Sequence, residues 1–96
     1  MPYVLAFNRS AIEAKIARLA AFIGLEPSFD AFLNWILDLR KQLGVPHTLK
    51  DFGVELNNLD VMSKMAPEDP TAGGNPVPLT ESAARALFEK AYSGAL

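Results

Sequence analysis

Apolar residues recur along this chain in steps of three and four, and the steps are broken by Gly, Pro and small polar residues where helices end. From Met1 through Phe7 no such step is present, and the segment reads as a short extended start. Ser10 and Glu13 have capping-box spacing, and Ile12, Ile16, Leu19, Ala20 and Ile23 then share a face. This predicts a helix from about Ser10 to Ile23, stopped by Gly24. Ala14, Ala17 and Ala21 are small enough to let a neighbouring helix approach, which leaves Glu13, Lys15 and Arg18 as the clearly solvated positions. Pro27-Ser28 opens a second helix in which Phe29, Phe32, Ile36, Leu39 and Leu43 form a stripe, while Leu33, Trp35 and Leu37 lie off it. That helix, ending at Gly44 ahead of Pro46, is apolar on more than one face. Its surplus calls for cover by another layer, a partner chain or a further part of a longer protein.

Thr48 to Gly53 reads as a single helical turn with Thr48 as its cap, and Asn58 is a candidate cap for a short helix through Leu59, Met62 and Met65. The segment from Glu68 to Thr80 is a shaped loop. Gly73 and Gly74 offer backbone conformations closed to other residues, and Pro70, Pro76 and Pro78 fix φ and remove donors. Thr80 then caps a last helix, to about Ser93, with Ala83, Ala84, Leu87, Phe88, Ala91 and Tyr92 on one side. No stretch alternates as a strand does, so the fold class is all-α: one domain over residues 1–96, a compact bundle of about four or five helices.

Composition narrows the function classes. With 50% apolar and 21% charged residues and a net charge of -2, the chain is neither a disordered acidic tail nor a basic nucleic-acid binder. The absence of cysteine excludes a disulfide framework and a thiolate metal site and fits a reducing, cytoplasmic setting. No apolar run approaches the roughly 20 residues that span a bilayer, so no membrane partner is expected.

Chemistry-bearing residues are sparse. His47 stands in a surface turn with no second histidine to complete a metal site. Glu68 and Asp69 are adjacent carboxylates without cationic or apolar neighbours in the sequence to tune them as an acid and base pair. Ser10, Ser28, Thr48 and Thr80 are better placed as caps than as nucleophiles, and Met62 and Met65 as core filler. Gly73-Gly74-Asn75 precedes a helix, yet two prolines intervene and no strand leads in, so the phosphate-cradle templates fail. Asn75 can bond locally within the turn or take a left-handed backbone conformation.

The sequence Leu43-Gly44-Val45-Pro46, Thr48-Leu49-Lys50-Asp51-Phe52-Gly53-Val54, Asp69 to Thr71, Gly74-Asn75-Pro76 and Pro78-Leu79-Thr80 resembles the C-terminal end of the iron-containing alcohol dehydrogenases. Met1 to Asn8 is similar to that family's Leu-Pro-x-Val-x-x-Phe-Asn segment, so the resemblance spans essentially the whole chain. It implies the last part of the helical domain of a dehydroquinate synthase-like fold. Catalysis in full-length members uses NAD(P) and a divalent metal, iron or zinc, held by one aspartate and three histidines. None of those ligands, and none of the nicotinamide-binding glycines, maps onto this chain. The resemblance therefore implies no catalytic, cofactor-binding or metal residue here, and a chain inactive alone. It places the loop at Asp69, Thr71, Gly74 and Asn75 near the substrate cleft; some members have cysteine where this chain has Thr71. Two functional classes follow: a segment of an oxidoreductase acting on alcohols, or a free-standing helical interaction or oligomerisation module that uses its exposed apolar helix faces to bind a partner; if the 96 residues stand alone, a homodimer is the simplest cover for those faces.

Overall fold

Pro2 opens a helix, not an extended segment, in the computed structural model, which describes all residues from Met1 to Leu96. A proline at the first helical position has the φ that position needs and lacks an N–H that would be unpaired there anyway. The resulting α1 (Pro2–Phe7) buries Pro2 and Tyr3, and this packing against a later helix is what a sequence window of seven residues does not contain. All regular structure is helical and no residue lies in a strand, as the helical periodicity predicts. The chain divides into two units, Met1–Val45 and Pro46–Leu96.

In the first unit α1 is followed at once by α2 (Arg9–Phe22), the two sharing Asn8, whose N–H donates to the Val4 carbonyl and whose own carbonyl accepts from Ala11 and Ile12. The predicted capping box at Ser10 does not form. Ser10 lies exposed inside the helix, and the Glu13 carboxylate accepts from Arg9 instead of turning back to the backbone. Ala20 is fully buried, but Leu19 and Ile23 are exposed, as are Ala11, Ala14, Ala21 and Phe22; the solvated face is wider than Glu13, Lys15 and Arg18. α2 stops at Gly24, whose φ of +83° is strained for any residue with a Cβ. Its N–H bonds to the Ala21 carbonyl while the Leu25 N–H reaches Ala20, a Schellman closure.

α3 (Phe29–Gln42) begins as expected, with the Ser28 hydroxyl accepting from the Ala31 N–H at 3.1 Å. α3 buries Phe29 and Ile36, which with Tyr3 and Ala20 are buried apolar side chains of the first unit. Trp35 is 40% exposed and stacks at a tilt on Phe32, and Leu43 at the stripe's far end is exposed. Arg9 joins the α2 and α3 starts: its guanidinium donates to both Asp30 oxygens at 2.8 and 3.0 Å and to Glu13, and lies 4.7 Å from the Phe29 ring centroid.

The second unit opens with a hydrogen-bonded turn from Leu49 to Gly53, the Thr48 hydroxyl accepting from the Asp51 N–H as predicted. α4 (Asn58–Met65) starts one residue earlier than Leu59, with Asn57 and not Asn58 at the cap and no side-chain cap bond. Leu59 is fully buried beside Ser63, whose hydroxyl donates to the Leu59 carbonyl and so needs no other partner. α5 (Glu81–Ser93) has the predicted Thr80 cap, the hydroxyl accepting from Ala83 at 3.1 Å, and buries Ala84 against α4. Arg85 bridges the same pair, donating to Glu89 one turn on and to Asp60 of α4.

Candidate functional site

The loop between α4 and α5 is built from two short 3₁₀ turns, Ala66–Glu68 and Ala72–Gly74, joined by a side-chain-locked turn. Pro67 sits in the first, where its missing N–H costs nothing. Asp69 leaves that turn in extended conformation and accepts at one oxygen from both the Thr71 N–H (2.8 Å) and the Thr71 hydroxyl (2.5 Å). Ala72 then bonds back to the Asp69 carbonyl and Gly74 to that of Thr71. Asn75, half-buried, donates from its amide to the Val77 carbonyl at 2.6 Å with φ at -70°, so of its two options it takes the local bond and not the left-handed backbone. Gly73 and Gly74 differ from expectation: neither has positive φ, and a Cβ at either would meet open space. The 3₁₀ geometry is open to every residue type, so the loop owes its path to Asp69 and Asn75 more than to its glycines.

Beside this loop lies an open depression of about 450 Å³ lined by Met62, Met65, Ala66, Glu68 and Asp69. Of the four predicted cleft residues the structure places Asp69 on this wall and Thr71 behind it as its hydrogen-bond donor. Gly74 and Asn75 belong to the following turn and do not line it. Met65 is 63% exposed and Met62 half-exposed, so the expectation of core filler fails: Leu59 and Ser63 fill the buried side of α4, which turns Met65 outward. Positions 62, 65 and 68 continue one helical spacing through the 3₁₀ turn, and that spacing is the signal by which the wall is readable.

Electrostatics limit what this wall can do. The Thr71 hydroxyl, and then the Thr71 N–H, hold the Asp69 carboxyl below its ordinary value of 3.8. An acid so weakly basic does not activate the hydroxyl that donates to it, so the pair is a turn lock and not a nucleophile with its base. His47, the only histidine, donates from Nε2 to the Gly94 carbonyl at 3.2 Å. No three His, Asp or Glu side chains are grouped to hold a metal ion, and His47 is engaged at a helix end. The residues present do not fit the divalent metal that the resemblance implies for full-length relatives, and no step is derived through it. No helix is long and apolar enough to cross a membrane.

The chain is all-α, with a side-chain-locked loop, an open wall of apolar and acidic side chains beside it, and no grouping of three potential metal ligands. Residues 1–92 match the profile of the Fe-containing alcohol dehydrogenase family, C-terminal part, and the chain belongs to that family. It is 31% identical to the NADPH-dependent butanol dehydrogenase of Clostridium saccharobutylicum, over 98% of this chain and 26% of that protein. It is 32% identical to a choline dehydrogenase of Bacillus subtilis, over 94% of this chain and 24% of that protein. A maleylacetate reductase of a Rhizobium species is also 32% identical, over 99% of this chain and 25% of that protein. The chain thus spans about a quarter of the length of these relatives. No solved structure matches it significantly.

Proposed function

We propose that this chain works as the C-terminal helical segment of an NAD(P)- and divalent-metal-dependent dehydrogenase acting on alcohols, and that it is inactive alone. The supporting observation is the unbroken family match through residue 92 in a chain about a quarter as long as its relatives. The cofactor and metal are contributed upstream in this reading, and the wall at Met62, Met65, Glu68 and Asp69 faces the substrate cleft. Butanol and choline, in the names of two relatives, are alcohols and support the alcohol class, whereas maleylacetate, in the name of a third, is an unsaturated oxo acid.

The test has two arms. The purified chain, given NAD(P), a divalent metal and a series of alcohols, is expected to give no reduction above a no-protein control; chelator-sensitive turnover would overturn its inactivity. The chain substituted for the matching last quarter of the Clostridium butanol dehydrogenase is expected to give a soluble enzyme. Failure of that hybrid to fold or turn over would overturn the segment reading.

A second reading, a free-standing module that self-associates, draws on the exposed Trp35 and Leu43 of α3. A monomeric sedimentation coefficient at high concentration would remove it.

A further inference from the structure

We draw no further inference here: the strongest candidate, the open depression lined by Met62, Met65, Ala66, Glu68 and Asp69 between α4 and the loop that follows it, belongs to the site already described, and nothing in the structure beyond its two adjacent carboxylates shows what ligand it would take.

Discussion

Single residues carry several of this chain's constraints, and glycine shows how unequal nominally similar positions are. Gly94 ends α5 at φ +86°, and a Cβ there would fall 3.2 Å from both His47 Cδ2 and Thr48 Cγ2. Gly94→Ala combines left-handed backbone strain with a crowded contact and is expected to cost about 1–3 kcal/mol, read from urea unfolding. Gly73→Ala meets open space at ordinary φ and is expected to be neutral or to stabilise by about 0.4–1 kcal/mol in the same assay. At Asp69 the sign follows from its lowered pKa. The ionised form is favoured in the fold, so its contribution is present above the unfolded carboxylate range and is lost as pH falls through the folded value, below 3.8. Thr71→Val removes the hydroxyl that is the larger cause, and a carboxyl NMR titration should find Asp69 shifted upward; Thr71→Ser should retain the low value.

At the scale of elements, helix starts separate caps that bond from caps that merely stand in the right place. Ser28→Ala is expected to cost about 1 kcal/mol because its hydroxyl closes α3, whereas Ser10→Ala removes no cap and should fall within about 0.5 kcal/mol of the parent. Thermal melts of the two variants check the contrast. Much of α3 and α5 was legible in the sequence because Ser28, Thr80 and the intervening stripes point to one answer. The start of the chain was not legible. Its helix rests on burial of Pro2 and Tyr3 against α3, a helix that begins only at Phe29, and local spacing does not encode that contact. The candidate site was half legible: Asp69, Thr71 and Asn75 announce a turn by residue type, but Met65 reads as interior until the buried side of α4 is seen to be filled by Leu59 and Ser63.

For the whole molecule, the decisive quantity is how few large side chains are withdrawn from water. Buried apolar residues are limited to Pro2, Tyr3, Ala20, Phe29 and Ile36 in the first unit and Leu59 and Ala84 in the second, while Phe22, Leu43, Phe52, Leu56, Val61 and Met65 are all more than half exposed. Chains of about this length hide only some two thirds of their unfolded surface at best, and a core this small leaves little margin. The isolated chain is expected to bind an apolar-surface dye at neutral pH and to melt over a broad range, and the hybrid with an upstream dehydrogenase portion to do neither. A sharp, dye-silent melt of the isolated chain would contradict this expectation.

The two arginine forks repeat one arrangement: Arg9 takes Glu13 one turn on and Asp30 across, and Arg85 takes Glu89 one turn on and Asp60 across. Exposed pairs of this kind contribute at most about 1 kcal/mol, so cohesion is not their main effect. What they do fix is alignment. A slip of one helical turn, about 5.4 Å, would carry each guanidinium beyond the reach of its distant aspartate. The forks therefore act as keys, each favouring one sliding offset of its helix pair by no more than an exposed ion pair is worth.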